Sequence, residues 1–361
     1  MKAPGGTERI VFLDGLRGVA AMGVVVLHVL AAPLDAVSAT AGAVANRGFL
    51  GVYVFFVISG FAVAHSIART SMTPATIGRF IARRICRLDP PYWASMAVSV
   101  VVAVGATFAL GRGPSSLPSS KIVLVNVLYL QGILDAPTIQ DVYWTLCFEI
   151  QFYLALVILV AVKERLTERL GEAWAFSAIF GPPLLYSVLV AKHVAPAPPG
   201  ACFRDWYAFF AGVSVQRAIS RRDWIPFALA IGASLVVTVG SATGVTVIVV
   251  ASSIAIGHSR NRLGVWLSSG PMQYLGRISY SLYLTHLPIG GRSANLLARL
   301  AGNRPWPRLA AGFAGVAIAI GFASVFWLLI EKPSIALSRR ISRRAQVMPI
   351  APYGGQQTFP Q

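Results

Sequence analysis

Apolar segments of about 20 residues recur along nearly the whole chain, and short polar stretches separate them. Each segment is long enough to cross the roughly 30 Å hydrocarbon core of a bilayer as an α-helix. The pattern predicts an all-α, polytopic integral membrane protein with about ten transmembrane helices. The predicted spans cover residues 10–31, 48–68, 92–110, 143–162, 173–192, 203–219, 224–239, 242–257, 272–290 and 308–330.

One further apolar segment, residues 121–134, is short and flanked by polar residues, and its placement decides the direction of every later helix. Lys and Arg concentrate in cytoplasmic loops, so their distribution discriminates between the two topologies. If the segment does not cross, most Lys and Arg residues fall on the side of the N-terminus, but if it crosses the majority moves to the other side. We therefore predict that both termini are cytoplasmic and that residues 121–134 form a re-entrant or interfacial segment.

Composition fits this fold, because 56% of the 361 residues are hydrophobic and only 12% are charged. A net charge of +18 favours a nucleic-acid partner in a soluble protein, but basic cytoplasmic loops account for it here. We expect no nucleic-acid partner. The three cysteines lack the spacing of a metal or disulfide framework, so no metal site is predicted. One transmembrane domain is expected over residues 1–335, followed by a basic and then disordered cytoplasmic tail over 336–361.

Polar residues interrupt the first apolar segment, which reads LDGLRGVAAMGVVVLH over residues 13–28. Arg17 and His28 are eleven residues apart, which places them on one helical face and about 16 Å apart along the axis. Asp14 lies one turn before Arg17 and can pair with it. Ionisable groups inside a membrane are costly, so each is a candidate functional residue. A structural Asp14–Arg17 ion pair and a packing role for His28 are the alternatives.

A carboxylate and a second imidazole lie in the outer parts of two later spans. Glu149 lies about two turns inside the fourth span, at a depth similar to that of His28. We predict that these two side chains pair, so that the carboxylate orients the imidazole and stabilises its charged form. A structural Glu149 bonded to helix ends is the alternative. His286 lies in the outer part of the ninth span, where packing in the core is the alternative.

Arginines dominate the inner half of the predicted topology. In RFIARRICRLDPPYW, residues 79–93, they recur every four residues on one face of a predicted interfacial helix. Arg17 and Arg277 lie in the inner parts of two spans, and Arg277 is on the opposite helical face from His286. Guanidinium groups suit phosphate oxygens, although loop arginines also anchor lipid headgroups. A long anionic ligand such as an acyl-CoA can place its phosphates on the arginines and its reactive end near His28.

Five ordered motifs carry a resemblance to a known family. They are LDGLRG with its Arg-x10-His spacing, GVYVFFVISGF, RRICRLDPPYW, YWTLCFEIQFYL and ISYSLYLTHLP. Through them, residues 8–335 resemble the membrane-bound acyltransferase-3 family, which includes O-acetyltransferases of surface glycans and macrolide acyltransferases. The chain departs from the family pattern at Tyr53, where the family has Asp, at Asp89 before the paired prolines, and at Ile150, where the family has a second Glu.

The resemblance implies a multi-pass enzyme of the bacterial inner membrane that moves an acyl group, expected to be acetyl, from cytoplasmic acyl-CoA to a hydroxyl group. The expected acceptor is a cell-surface or exported glycan, free or lipid-linked, and membrane lipids are further partners. No permanently bound cofactor is expected. A small-molecule acceptor such as a macrolide, or a non-enzymatic transporter or flippase, are the alternatives.

Three groups of site residues are predicted from these arguments and from the resemblance. The catalytic group is His28, Glu149 and Arg17. The donor-binding group is Arg17, Arg83, Arg84, Arg87 and Arg277. The acceptor-binding or supporting group is Asp14, Tyr53, Ser59, Trp144, Tyr283 and His286.

Overall fold

The computed structural model describes residues 10–68, 70–109, 117–302 and 304–346. These residues form α-helices joined by short turns, and they contain no strand. The helices are α1 (Val11–Val25), α2 (Ala31–Asp35), α3 (Ala39–Asn46), α4 (Leu50–Ile67), α5 (Pro74–Ala109), α6 (Ser120–Val127), α7 (Trp144–Leu170), α8 (Glu172–Ala191), α9 (Trp206–Arg221), α10 (Ile225–Thr238), α11 (Ala242–Ser259), α12 (Gly270–Thr285), α13 (Arg292–Ala301), α14 (Pro305–Phe326) and α15 (Lys332–Gln346). Three π-helical segments continue α1, α12 and α14. They are Val26–Leu30, His286–Gly291 and Trp327–Glu331.

The all-α polytopic fold predicted from hydropathy is confirmed, and every predicted span overlaps a helix. Within the described ranges, seven helical stretches are long and apolar enough to cross a membrane by length and composition. The other three predicted spans correspond to α9 and α10, which have only 16 and 14 residues, and to α12 with its π segment. The count of ten spans and the cytoplasmic termini stay predictions.

The segment at 121–134 forms the short helix α6 and a series of turns. Eight residues of α-helix extend about 12 Å, less than half of the bilayer core, so this helix does not cross it. The helices on either side run antiparallel. Ser95 of α5 hydrogen bonds Tyr143 at 2.8 Å, just before α7 begins, whereas Arg84, earlier in α5, lies 4.7 Å from the ring of Tyr153, later in α7. This reversal agrees with a segment that does not cross.

Glycines bring α1 and α12 into close contact along their length. A Cβ atom on Gly276 would lie 2.0 Å from the carbonyl oxygen of Asp14, and one on Gly18 would lie 2.8 Å from the Gly276 nitrogen. Only glycine fits at such a distance, as is common where membrane helices pack tightly. The two helices run parallel, since Asp14 lies beside Gly276 at one end and His28 contacts His286 at the other.

Glycine also brings α4 close to α9. A Cβ on Gly60 would lie 2.0 Å from the Phe209 carbonyl oxygen. Beside this contact, the Phe209 ring stacks at 4.3 Å on both Phe56 and Phe152. The buried aromatic cluster fixes α4, α7 and α9 against one another, and α7 carries Glu149 into the interior from this position.

The structure corrects one expectation about the basic segments and adds detail to another. The arginine-rich stretch is not a separate interfacial helix, because it is continuous with the third span in the 36-residue helix α5, despite Pro90 and Pro91. The first part of the predicted tail is the helix α15, which packs on α5 where Ser338 Oγ donates to the Arg83 carbonyl oxygen at 2.8 Å. The rest of the predicted disordered tail, beyond Gln346, lies outside the described residues.

Candidate active site

Each π-helical segment of the described chain contains a polar residue of the candidate site. His28 lies within the first, His286 begins the second and Glu331 ends the third. Single π-turns are rare in proteins and are often found at functional sites. The three segments therefore mark residues that the local helical pattern alone does not single out.

Prolines account for these interruptions of the α-helical hydrogen bonds. Pro33 follows the first segment, Pro288 lies within the second and Pro333 follows the third. Proline has no N–H group and its ring crowds the carbonyl four residues earlier, so a regular α-helical bond cannot form there. One residue is accommodated in a wider turn instead, which changes the direction of the side chains in that turn.

The first part of the site is a pair of histidines, His28 and His286, which we call the histidine pair. His28 Nδ1 lies 3.1 Å from His286 Nε2, and the ring centroids are 5.1 Å apart. His286 is completely buried, whereas His28 is exposed. The predicted pairing of His28 with Glu149 is therefore wrong, because a second imidazole occupies the position expected for the carboxylate.

Backbone carbonyls fix the proton positions in the histidine pair. His286 Nδ1 lies 2.8 Å from the Tyr283 carbonyl oxygen, which can only accept, so Nδ1 carries the proton and Nε2 of the neutral ring has the lone pair. His28 Nδ1 consequently donates to that lone pair, and it also lies 3.0 Å from the Val24 carbonyl oxygen. The lone pair of neutral His28 is then on Nε2, to which none of the described residues hydrogen bonds.

The second part of the site is a partly buried group of opposite charges, Arg17, Arg84, Arg87, Glu149 and Glu331, which we call the arginine–glutamate cluster. Arg17 interacts electrostatically with Arg87 and Glu149, and Glu331 interacts with Arg17 and Arg87. Arg84 interacts with Arg17 and Glu149. Arg17 also forms the predicted pair with Asp14, at 3.4 Å. Three α-helices and one π segment supply the charges, so their association depends on the tertiary fold.

Glu149 belongs to this cluster and does not contact His28. Its carboxylate accepts hydrogen bonds from Ser59 Oγ at 2.7 Å and from the Tyr153 hydroxyl. The prediction of its depth counted residues along each helix separately. Packed helices are tilted and displaced along their axes, so equal residue counts do not give equal heights. The polar role predicted for Ser59 thus takes the form of a hydrogen bond to Glu149.

Glu331 was not among the predicted site residues. Its side chain is buried, with 6% of its surface exposed. It accepts from Ser281 Oγ at 2.5 Å and from the Ser281 backbone nitrogen at 3.1 Å. A carboxylate at the end of an apolar span and two residues before a proline was the available signal.

Three predicted residues lie apart from both groups. Arg277 is exposed and its guanidinium lies 5.8 Å from the ring centroid of Trp327, which confirms that it and His286 are on opposite faces and removes it from the cluster. Tyr53 donates to Asp205 at 2.9 Å, in a separate buried contact. Trp144 is exposed and packs edge-on against Phe56. The structure gives these residues no contact with the histidine pair.

Tyr283 contacts the histidine pair through its ring and its backbone carbonyl. Its ring centroid lies 6.0 Å from that of His286, and its carbonyl oxygen is the acceptor for His286 Nδ1. Its hydroxyl lies 2.7 Å from Thr145 Oγ1 and donates to the Val142 carbonyl oxygen at 3.2 Å. These contacts hold the end of α12 against the start of α7.

Other reactive side chains give no competing site among the described residues. Over these ranges no three His, Cys, Asp or Glu residues are arranged to hold a metal ion. Burial raises the pKa of the Cys202 thiol to about 12, so this thiol is protonated at neutral pH and is a poor nucleophile. The histidine pair is thus the best candidate for proton transfer or nucleophilic attack.

Comparison with known proteins identifies the class. Residues 10–328 match a family model described as an acyltransferase domain. The chain therefore belongs to this family of membrane-bound acyltransferases, acyltransferase-3, and the resemblance inferred from the five motifs is confirmed. No solved structure matches the chain.

Several relatives have acyltransferase names. Acyltransferase MdmB of Streptomyces mycarofaciens is 24% identical, over 92% of this chain and 93% of its own length. Exopolysaccharide production protein ExoZ of Rhizobium meliloti is 34% identical over 112 residues, which cover 29% of this chain and 32% of that protein. O-acetyltransferase OatA of Staphylococcus aureus is 25% identical, over 77% of this chain. The chain spans only half the length of OatA.

Proposed function

We propose that the chain is an O-acyltransferase of the bacterial inner membrane that transfers an acetyl group from cytoplasmic acetyl-CoA to a hydroxyl group of a cell-surface or exported glycan. Membership of the acyltransferase family supports acyl transfer. The names of ExoZ, an exopolysaccharide production protein, and OatA, an O-acetyltransferase, support the glycan acceptor and the acetyl group. The glycan acceptor and the acetyl group are both part of the proposal.

The observation that carries the proposal is the hydrogen-bonded chain from the Tyr283 carbonyl through His286 to His28. It leaves the lone pair of His28 on Nε2, on the exposed side of the pair. In the proposed step, Nε2 takes the proton of the acceptor hydroxyl while its oxygen attacks the thioester carbonyl carbon. The carbon–sulfur bond then breaks, and the CoA sulfur takes the proton from the His28 imidazolium. His286 keeps the ring orientation and the tautomer fixed during both transfers.

A covalent route uses the same atom. His28 Nε2 attacks the thioester carbonyl, the CoA thiolate leaves, and the acetyl group then passes from Nε2 to the hydroxyl oxygen. The released Nε2 takes the hydroxyl proton and passes it to the CoA thiolate. Rapid mixing with radiolabelled acetyl-CoA in the absence of acceptor discriminates between the routes. Acetyl groups bound covalently to the protein indicate the second route, and their absence indicates the first.

The arginine–glutamate cluster is proposed to hold the donor. Arg17 and His28 are separated by about 16 Å along α1, which leaves room for an extended ligand whose charged part and reactive part lie at different positions. Guanidinium groups bind phosphate oxygens through paired hydrogen bonds. Glu149, bonded to Ser59 and Tyr153, is proposed to position Arg17 and Arg84 rather than to act on His28.

The test is acetyl transfer by purified His28→Ala protein, with His65→Ala as the matched control. His65 is an exposed histidine that stacks on Phe61 and has no contact with the site. We expect His28→Ala to lose transfer and still bind acetyl-CoA, and His65→Ala to keep both. Full transfer by a folded His28→Ala variant contradicts the assignment. No acetyl-CoA binding by the wild type contradicts the donor and favours a transporter.

A further inference from the structure

A basic surface forms where the last helix packs on α5. Arg79 and Arg83 of α5 and Arg339 and Arg340 of α15 make up this surface, which we call the α5–α15 surface. Ser338 Oγ donates to the Arg83 carbonyl oxygen at 2.8 Å, which places the two exposed arginines that follow Ser338 beside the arginines of α5. Arg79 is exposed and Arg83 is half-buried.

The charges of this surface have no acidic partners in the described part of the chain. None of its four arginines forms an ion pair there. Arg79 Nε donates only to the Ala75 carbonyl oxygen of its own helix. The carboxylate of Glu164, on α7, accepts a hydrogen bond from the backbone nitrogen of Met72, two residues before α5 begins. The sequence of α15 contains no Asp or Glu.

A second basic region of the molecule behaves differently. Lys163, Arg217 and Arg221 all bind Glu172, at 2.8–2.9 Å. Clustered cations repel one another unless an anion offsets the charge, and here a carboxylate of the protein supplies it. At the α5–α15 surface none of the described residues supplies such a group, so the surface is free to accept an anionic ligand.

The position of the surface favours the donor as that ligand. Arg87, a member of the arginine–glutamate cluster, lies one turn from Arg83 on α5 and interacts with it electrostatically. From Arg79 to Arg87 the helix extends about 12 Å, so guanidinium groups continue from the exposed end of α5 towards Arg17. An anionic chain with several phosphates fits such a series better than a single headgroup does. Coenzyme A carries a diphosphate and, on its ribose, a terminal 3′-phosphate.

We propose that Arg339 and Arg340 of α15, with Arg79 and Arg83, bind the 3′-phosphate of the CoA donor. This rests on the proposed function, and it adds the last helix to the donor site, which the motifs place only on α1 and α5. In the proposed arrangement the nucleotide end of the donor lies on the α5–α15 surface, and its diphosphate lies nearer Arg87 and Arg17.

The experiment compares Arg339→Gln/Arg340→Gln with the matched control Arg260→Gln/Arg262→Gln. The control removes two exposed arginines from the turn before α12, away from this surface. Affinity for CoA and for 3′-dephospho-CoA is measured by displacement of radiolabelled acetyl-CoA from full-length protein in nanodiscs. We expect about three- to tenfold weaker CoA binding for the α15 variant, unchanged dephospho-CoA binding, and no change in the control.

A wild-type measurement keeps the inference testable if the α15 variant does not fold. Adenosine 3′,5′-bisphosphate should displace acetyl-CoA better than 5′-AMP, because only the bisphosphate has the 3′-phosphate. Equal displacement by the two nucleotides overturns the inference, as does equal loss of CoA and dephospho-CoA binding in the variant.

Lipid phosphates are the other source of the same chemistry, and the nanodisc composition separates the two. If the effect of the α15 variant is seen only with anionic lipid and is absent with neutral lipid, the surface binds headgroups and the inference is wrong. Wild-type protein that binds no acetyl-CoA in either lipid contradicts the proposed function itself. Wild-type binding with no change in the variant contradicts only the role of α15.

Discussion

The histidine pair and the arginine–glutamate cluster are both polar groups inside an apolar helical protein, but they are held by different means. The histidine pair has two members and depends on backbone carbonyl acceptors freed near π-turns. The cluster has five charged members from several helices, and hydroxyl donors such as Ser59, Tyr153 and Ser281 satisfy its carboxylates.

The difference indicates that the histidine pair and the cluster have different functions. Neutral imidazoles can lie exposed without a counter-charge, so His28 can keep a free lone pair towards a reactant. Buried guanidinium and carboxylate groups must be paired and hydrogen bonded, so the cluster suits binding a charged ligand part in a fixed position. On this comparison, changes at the histidine pair alter the rate of transfer, and changes at the cluster alter donor binding.

The largest expected effect is at His28. His28→Ala should lower kcat by roughly 10²–10⁴-fold, the contribution of a general base, and should leave the KM for acetyl-CoA within about twofold. Steady-state kinetics of acetyl transfer measure both constants, with His65→Ala as the control. If His28→Ala changes KM and preserves kcat, the histidine pair does not control the rate of transfer in the way proposed here.

A change at Arg17 should alter donor binding more than the rate of transfer. Arg17→Gln removes a charged hydrogen-bond donor and should weaken acetyl-CoA binding by about 10- to 100-fold, from the 1.5–3 kcal/mol of such a bond. Equilibrium binding of radiolabelled acetyl-CoA gives this value directly. Arg17→Lys keeps the charge and should recover part of the loss. Unaltered binding by a folded Arg17→Gln protein is incompatible with a donor site at the cluster.

His286 should have an intermediate effect on rate. His286→Phe keeps a planar ring but removes the side-chain acceptor for His28 Nδ1 and leaves only the Val24 carbonyl oxygen, so the His28 ring is held less firmly. We expect kcat to fall by roughly 10- to 100-fold, less than in His28→Ala, with donor binding unchanged. His258→Phe, at an exposed position on α11, is the control. If His286→Phe keeps the kcat of the wild type, the hydrogen bond from His28 to His286 has only a structural role.

The smallest expected effect is at Glu331, and its sign is informative. Glu331→Gln keeps an oxygen acceptor for Ser281 and removes a negative charge near Arg17 and Arg87. The less compensated cations should bind an anionic donor about two- to threefold more tightly. Ser281→Ala removes the hydrogen bond and keeps the charge, so it should not tighten binding. Weaker binding in Glu331→Gln indicates that Glu331 positions the arginines instead.

Local patterns predicted much of this fold. Hydropathy gave the helices, since each span must satisfy its backbone and bury its side chains within one segment. The pairing of Arg17 with Asp14 was predicted from helical spacing. The failures are of another kind. Glu149 was assigned the wrong partner, and Glu331 was missed as a site residue, because heights counted along separate helices do not include their tilt and offset.

The sequence by itself determined that the protein is an all-α membrane acyltransferase with Arg17 and His28 on its first helix. Tertiary structure alone decided that the partner of His28 is His286, which lies 258 residues away, and that α15 joins the arginines of α5. The physical reason is that helix formation and membrane insertion depend on neighbours in the chain. Contacts between helices depend on glycine close approach, π-turns and packing, which no single segment encodes.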